Sequence, residues 1–348
     1  MNKNDTIDFK ELGFDGEKYI ELQKNQILDR MANMSWRLYL EIWWKFLRDT
    51  HASRCLPWYD PESMKKIFWE MKDKIEILFC VNAEDIISDK KIWWSTTYSE
   101  YLETRFMVIE RNTWVKPILV INNIDIANMF DLVLEFERKF QKKQYRVFER
   151  YKIQWYPYNL NSMLSENWFG ADDHIPLTKN LILVTSATPN SWKFSCCLWQ
   201  IYLDNEMWIR AWYAKFETFP IFNLWIDHPA NLAFQSAICD QNDNVIIDEY
   251  HKNEYKQECA STEKDIQAFE ILQKFAKETV NHKNYMIKYK SSVDMMINCT
   301  WMCITDEELI KKASCEEILR RKERYKEIWD DNAARKCEMY YQKATQQE

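Results

Sequence analysis

The segment NLILVTSATPNSWK, residues 180–193, is the part of the sequence that decides the fold class. Its apolar run, 181–184, is typical of a strand that is buried on both faces of a parallel sheet. A turn-rich stretch follows, and then a stretch compatible with a helix at 194–203. Strand, loop and helix in this order predict one unit of an α/β fold.

Similar units lie on both sides of this segment. Apolar runs predict further strands at 37–42, 76–81, 116–121, 145–153, 207–218 and 244–248. Three- and four-residue periodicity predicts helices between them, at 16–32, 61–74, 129–140 and 265–280. We therefore expect an α/β fold with a mainly parallel sheet flanked by helices, in a P-loop-like or Rossmann-like three-layer architecture with a helical C-terminal tail.

Domain boundaries are weakly marked in this sequence. We assign 1–235 to an α/β domain that carries the phosphate-loop-like segment 183–203, and 236–305 either to a continuation of it or to a small second subdomain. Residues 306–348 are highly charged and predict a helical tail, peripheral or leading to a further part. Thr305 and Glu308 have the spacing of a capping box at its start.

The composition limits the classes of function. The net charge is −7, so no general excess of positive charge favours nucleic acid or an anionic membrane as a partner. The polar N-terminus and the absence of an apolar run of about 18 residues predict a cytoplasmic protein without a membrane span. The 10 cysteines lack zinc-site spacing and predict reduced, buried thiols, so we expect no metal site on them.

Glycine and tryptophan are far from their ordinary frequencies. The chain has 3 Gly and 17 Trp, whereas average usage would place roughly 24 Gly in a chain of this length. Glycine permits left-handed turns and the close approach of backbone to phosphate. From its residues alone, the loop before Lys193 is therefore either an ordinary turn with a surface lysine or a phosphate cradle without its glycines.

Several segments together resemble a known bacterial family. These are YAKFETFPIFNL at 213–224, HPANLA at 228–233, and shorter matches that run in order from Gly13 to Tyr325. The chain is identified on them as a member of the domain of unknown function 1846 family. The resemblance implies a P-loop-like α/β domain, whose loop reads VTAPGPGSGK, followed by a further C-terminal domain that this chain lacks for the most part.

The resemblance also implies roles for the residues of the loop. Thr185, Ser191 and Lys193 match phosphate-binding positions, whereas glycines are expected where Thr188, Asn190 and Trp192 stand. Other tryptophans match family glycines in the same way: Trp36, Trp43, Trp44, Trp58, Trp155, Trp168, Trp212 and Trp301. We therefore predict that binding of the ligand is weakened or lost, because Trp192 would crowd a phosphate.

Further polar residues are candidates for chemistry. Asp248 and His251 could orient a metal or a proton transfer, or they could be a surface pair. His51 and Arg54 could contact an anion, or they could bond to their own loop. The resemblance, rather than spacing, adds Glu217 and His228 as catalytic candidates. It also adds a polar set consisting of Lys215, Thr218 and Asn231.

Two classes of function follow. In the first, the chain descends from a protein that binds a nucleotide or another phosphate-bearing small molecule, with ATP or GTP and Mg²⁺ as expected cofactors. Nucleotide-dependent hydrolysis and transfer are the reactions such a site would serve, and the lack of a zinc ligand set argues against a zinc peptidase. In the second class, it is a non-catalytic scaffold or interaction protein without nucleotide activity. The resemblance makes homo-oligomerisation an expectation in either class.

Overall fold

The computed structural model describes most of the chain. The described residues are 12–32, 37–43, 46–88, 91–93, 96–153, 164, 169–241, 243–279 and 285–346. Four of the tryptophans matched to family glycines lie outside them: Trp36, Trp44, Trp155 and Trp168. Among the described residues, none of the helices combines the length and the apolar run that a bilayer crossing needs.

The strands form one large sheet and two small pairs. In chain order they are β1 (Arg37–Glu41), β2 (Ile75–Asn82), β3 (Lys91–Trp93), β4 (Thr96–Thr97), β5 (Ile118–Ile124), β6 (Val147–Tyr151), β7 (Leu181–Ser186), β8 (Ala211–Phe216), β9 (Val245–Ile247), β10 (Ala260–Thr262) and β11 (Met296–Ile297). Seven of them make a sheet of order β11-β8-β1-β7-β2-β5-β6. Its strands pair in parallel, as the sequence predicts, and all six residues of β7 are buried.

The helices flank this sheet and continue after it. They are α1 (Gly16–Ala32), α2 (Thr50–Cys55), α3 (Ser63–Glu70), α4 (Ala83–Ile87), α5 (Tyr98–Thr113), α6 (Ile126–Lys142), α7 (Lys193–Glu206), α8 (Pro229–Ala237), α9 (Glu249–Tyr255), α10 (Glu263–Thr279), α11 (Glu307–Glu327) and α12 (Asp331–Thr345). Short 3-10 turns lie at Lys72–Lys74, Tyr285–Lys288, Val293–Met295 and Thr300–Cys303. The predicted α/β architecture with C-terminal helices is confirmed.

The connections place a crevice at the carboxyl end of the sheet. β1 lies between β7 and β8. The chain leaves β1 towards β2 on one side, whereas it leaves β7 through α7 towards β8 on the other side. Two neighbouring parallel strands whose connections diverge leave a crevice between their following loops, which is where open α/β sheets bind ligands.

Two details differ from the sequence predictions. Helix α7 runs on to Glu206, so the predicted extended segment 207–218 narrows to β8. The capping box predicted at Thr305 is wrong. Asp306 is the N-cap of α11, where its side chain accepts from the backbone N–H of Leu309, while the Thr305 hydroxyl donates to the carbonyl of Leu12.

The core has two parts. The larger part surrounds the seven-stranded sheet. The smaller part lies where α1, α2 and α8 meet α11 and α12, with Ile318, Ala333 and Cys337 among its buried residues. The segment expected as a charged tail is therefore helical but fills the second core instead of lying at the periphery. The predicted boundary between residues 235 and 236 falls inside α8.

Tryptophan occupies backbone conformations that ordinarily belong to glycine. Trp58, Trp114, Trp192, Trp208 and Trp329 have φ between 59° and 77°. They are five of the nine non-glycine residues with positive φ in the described part of the chain. Positive φ is unfavourable for a bulky side chain. Trp58 and Trp192 coincide with family glycine positions named from the sequence.

Candidate functional site

The crevice forms a cleft of about 750 Å³ at the carboxyl ends of the central strands. The loop 189–193 forms one wall, and Glu41, Lys215 and Asp265 contribute to the others. In the sheet, Glu41 at the end of β1 is level with Lys215 of β8. The parallel topology therefore brings the ends of separate strands to one site, which sequence spacing alone does not show.

Hydrogen bonds and two residues with positive φ fix the conformation of the loop after β7. The Ser186 hydroxyl donates to the carbonyl of Thr188 at 2.8 Å, and the Thr188 hydroxyl lies 3.2 Å from an Asp85 carboxylate oxygen. Asn190 and Trp192 have φ of 58° and 64°. Left-handed residues that alternate with right-handed ones turn successive N–H groups towards one side in anion-binding nests, and this loop supplies two left-handed residues.

Ser191 is the residue of this loop whose polar group is left unsatisfied. Its side chain lines the cleft but is only 1% exposed. Its Oγ has no hydrogen-bond partner within the described structure, although its carbonyl accepts from the Asn122 side chain at 3.1 Å. Buried hydroxyls are nearly always bonded, so the Ser191 hydroxyl is a donor that a ligand or a water in the cleft could use.

Lys193 begins α7 beside this hydroxyl. Its Nζ lies 3.5 Å from Glu41 Oε1, and the Tyr213 hydroxyl donates to the other oxygen of Glu41 at 2.9 Å. Trp192 is the N-cap of α7 and makes no side-chain cap, since an indole offers a donor and no acceptor. Trp192 therefore supplies no capping oxygen to the first turn of α7, and the N–H groups and the dipole at a helix start favour an anion.

A buried arginine supports the loop from beneath. Arg150 is 2% exposed and donates to the Asn122 side chain at 3.1 Å and to the Ser195 hydroxyl at 3.3 Å. Its guanidinium also lies 4.6 Å from the Trp199 ring and 3.6 Å from an Asp172 oxygen. Burial raises the pKa of Asp172 to about 6 although Arg150 opposes the shift. Arg150 was not predicted as a site residue. In the sequence it is distinguished only as a charged residue within a predicted strand.

Lys215 lies in a buried ion cluster on the floor of the cleft. Its Nζ is 2.6 Å from Glu217 and 2.6 Å from Asp265. The Trp43 indole N–H donates to both oxygens of Glu217, at 2.6 and 2.5 Å. Burial and the charge of Asp265 raise the pKa of Glu217 to about 7, although Lys215 and Trp43 favour its ionised form. The Trp43 ring lines the cleft, whereas Glu217 does not.

Comparison with known proteins places the chain in a family. The family model described as "Domain of unknown function DUF1846, N-terminal" matches residues 12–346. The chain belongs to the DUF1846 family. Similar curated relatives include a UPF0371 protein of Corynebacterium aurimucosum, 35% identical over 313 residues, and one of Streptococcus thermophilus, 34% identical over 314 residues. These alignments cover 89% and 90% of this chain but 61% and 62% of the relatives. The chain thus spans about three-fifths of the length of these relatives.

Three predicted site residues of this DUF1846 chain make hydrogen bonds within the fold. The Thr185 hydroxyl donates to the carbonyl of Trp43 at 3.3 Å. Asn231 holds the backbone of Ile221 through both its side-chain atoms, and the Thr218 hydroxyl bonds the buried Tyr19 hydroxyl at 2.9 Å. None of these three predicted side chains is among the residues that line the cleft.

The predicted anion ligands His51 and Arg54 lie in another ion cluster of the DUF1846 fold. His51 Nδ1 is 3.1 Å and Arg54 Nε 2.6 Å from the buried carboxylate of Glu317 on α11. Arg320 and Arg321 bind the same carboxylate. Burial opposes the charge of Glu317, but these partners hold its pKa well below its usual range. His51 and Arg54 therefore hold α11 against α2, and they do not lie at the loop 189–193.

The remaining catalytic candidates also lie apart from the cleft. His228 caps α8 through Nδ1, and its Nε2 is 3.0 Å from Glu307. Asp248 caps α9 and accepts from the Ser292 hydroxyl at 2.6 Å, while His251 Nδ1 is 3.0 Å from the Ser291 hydroxyl. The sequence-predicted roles of these three residues stay predictions, but the structure does not bring them to Lys193.

The residues present do not fit a magnesium ion held by Asp248 beside the loop. Asp248 uses both carboxylate oxygens in hydrogen bonds within its own cluster. Within the ranges that the structure describes, no group of three or more His, Cys, Asp or Glu side chains could hold a metal ion.

Proposed function

We propose that the cleft binds the phosphate group of a small ligand at the loop 189–193 and the N-terminus of α7. The buried, unbonded hydroxyl of Ser191 carries this proposal. Ser191 lies directly before the N-cap of α7 and two residues before Lys193, and a helix N-terminus favours an anion. ATP and GTP are the candidate ligands, and the bound state is expected to replace the contact of Lys193 with Glu41.

Residues of the loop and residues that contact it have different roles in this proposal. Lys193 neutralises phosphate charge, and Ser191 donates a hydrogen bond to a phosphate oxygen. Asn122 and Arg150 hold the loop in place through the carbonyl of Ser191 and the hydroxyl of Ser195. Trp192 has left-handed backbone angles and lines the same cleft. We therefore expect the affinity for phosphate to be lower than it would be with glycine at this position.

The test is calorimetric titration of ATP, GTP and pyrophosphate into the full chain and into variants. Lys193→Ala and Ser191→Ala should each weaken binding about tenfold or more, because a charge-assisted bond is lost. Lys179→Ala, which removes an exposed lysine remote from the loop, is the control. Equal affinity of the parent and both loop variants, with folding intact, would overturn the phosphate site.

A second candidate function is a non-catalytic scaffold that keeps the fold without nucleotide activity. The left-handed Trp192 at the N-cap favours it, since the indole occupies space at the mouth of the loop. The triple variant Thr188→Gly, Asn190→Gly, Trp192→Gly separates the two. Binding by the triple variant alone would support the scaffold, whereas binding by the parent would support the ligand site. Cytoplasmic location and self-association are further expectations from the sequence.

A further inference from the structure

The cleft extends beyond the phosphate loop along an apolar wall. Trp43, Phe194, Phe234, Ile238 and Ile271 line it, and they come from the loop after β1 and from α7, α8 and α10. Phe194 directly follows Lys193, so the wall is continuous with the proposed phosphate site. Ring contacts hold it in shape, with the Trp43 and Phe234 centroids 6.2 Å apart and edge-on.

The charged residues that line the cleft are of both signs. Lysines and carboxylates line it in equal number. Lys215 is already bound by Glu217 and Asp265 at 2.6 Å, and Lys264 by the carbonyl of Gln241 at 2.8 Å. Since the residues that line the cleft carry no excess of either charge, the part of the ligand beyond the phosphate needs no strong charge of its own.

The volume of the cleft also exceeds what a phosphate needs. About 750 Å³ lies within the range of about 300 to 1,000 Å³ that holds a drug-sized molecule. Flat aromatic groups pack on aromatic and aliphatic side chains, and base stacking contributes about 1 to 3 kcal/mol in single-strand sites. Gln241, Thr262 and Gln267 lie at the edge of the wall and offer donors and acceptors.

We infer that the apolar wall is a subsite for a purine or pyrimidine base, so that the ligand of the cleft is a nucleoside phosphate and not a sugar phosphate. The base lies against Trp43 and Ile271, while its phosphate reaches Ser191 and Lys193. This inference rests on the proposed phosphate site and adds to it the place where the base binds.

The experiment compares AMP, GMP, ribose 5-phosphate, inorganic phosphate and adenosine by titration into the full chain. AMP or GMP should bind at least about fivefold more tightly than ribose 5-phosphate, which corresponds to about 1 kcal/mol from a stacked base. Ile271→Ser should reduce this preference while leaving the affinity for ribose 5-phosphate unchanged. Ile287→Ser is the matched control, since Ile287 is also a partly buried isoleucine packed on the first core but lies outside the cleft.

The outcomes separate the base subsite from the phosphate site. Equal binding of AMP and ribose 5-phosphate would overturn the base subsite and leave the phosphate site standing. Binding of adenosine as tight as that of AMP would support the base subsite and contradict the phosphate loop. Silence from all five probes, with a cooperative thermal transition that shows a folded chain, would overturn both. Equal loss of preference in Ile271→Ser and Ile287→Ser would also count against the wall.

Discussion

At the scale of single residues, Glu217 is a buried group whose pKa the structure moves into the range of neutral pH. It is buried between Lys215 and the Trp43 indole, and Asp265 shares the charge of Lys215. An acid that is surrounded in this way binds its proton more tightly in the folded than in the unfolded chain. Its contribution to stability therefore depends on pH.

We expect Glu217→Gln to change the free energy of unfolding, relative to wild type, more favourably at pH 8 than at pH 5. The pKa of Glu217 rises from its usual 4.5 to about 7 on folding, so wild-type stability from this group falls as the pH rises from about 4.5 to about 7. The amide cannot ionise, and the difference between variant and wild type should change by at most about 3 kcal/mol across this window. Urea unfolding at both pH values measures it.

The control for this experiment is Glu308→Gln, which removes a carboxylate from the exposed start of α11. Other titrating groups act equally in the variant and in the wild type, so they cancel in the difference. A difference that is the same at pH 5 and pH 8 would contradict the raised pKa of Glu217.

At the scale of helices and strands, several helices end on a tryptophan where glycine is usual. Trp114 is the C-cap of α5, and Trp208 and Trp329 each follow the C-cap of their helix, α7 and α11. All three have φ near 60° and are largely exposed, with Trp208 at 94% and Trp329 at 90%. Their side chains therefore gain little from burial to offset the backbone strain.

Trp208→Gly and Trp329→Gly should each raise the free energy of unfolding by about 1 kcal/mol, because glycine relieves the left-handed strain. Chemical denaturation of the single variants is the measurement. Trp225→Gly is the control, since Trp225 is also exposed, at 57%, but is not among the residues with positive φ. An equal gain in Trp225→Gly would show that the effect comes from removing an exposed indole and not from the backbone.

The docking of α11 on α2 depends on one buried carboxylate. Glu317→Ala leaves Arg54, Arg320 and Arg321 without their shared acceptor, and the expected loss is about 3 to 5 kcal/mol of unfolding free energy. Glu316→Ala, one position earlier on the same helix, controls for helix propensity. Thermal unfolding of both variants measures the loss of stability. A small loss of similar size in both variants would contradict the role of Glu317.

The sequence predicted the elements whose pattern is local. β7 is wholly apolar at 181–184 and α1 keeps its period, so both were placed closely. Helix α8 was missed because eight of its nine residues are buried, which removes the amphipathic pattern. In α11, Glu317 is buried although it is charged, so it interrupts the apolar period of that helix.

The candidate site could be predicted only in part, for a related reason. Ser191 and Lys193 follow directly from a strand and a helix start, so a local reading finds them. Glu41, Asn122 and Arg150 reach the loop from other strands. Contacts between residues far apart in the chain leave no spacing in the sequence, and only the order of strands in the sheet brings them together.

At the scale of the whole molecule, the C-terminal helices are part of the core and support one wall of the cleft. α12 buries Ala333, Cys337 and Tyr340 in the second core. α8, which belongs to the same core, presents Phe234 to the cleft. The stability of the second core and the shape of the cleft are therefore coupled through α8.

Truncation after residue 330 should destabilise the molecule and expose apolar surface, because it removes α12 from α8. We expect a lower melting temperature, binding of a hydrophobic dye, and weaker binding of any ligand that uses Phe234. Differential scanning calorimetry and dye fluorescence measure the first two effects. A truncated chain that melts like the full chain would mean that α12 contributes little to the second core.

The left-handed tryptophans also have a genetic consequence. A single nucleotide separates the tryptophan codon UGG from the glycine codon GGG, so each strained position is one base change away from the residue that its backbone suits. A random library selected for survival at raised temperature should therefore return glycine repeatedly at positions 58, 114, 208 and 329, which carry positive φ. The tryptophans with ordinary backbone angles, such as Trp199 and Trp212 in the core, should persist through the same selection.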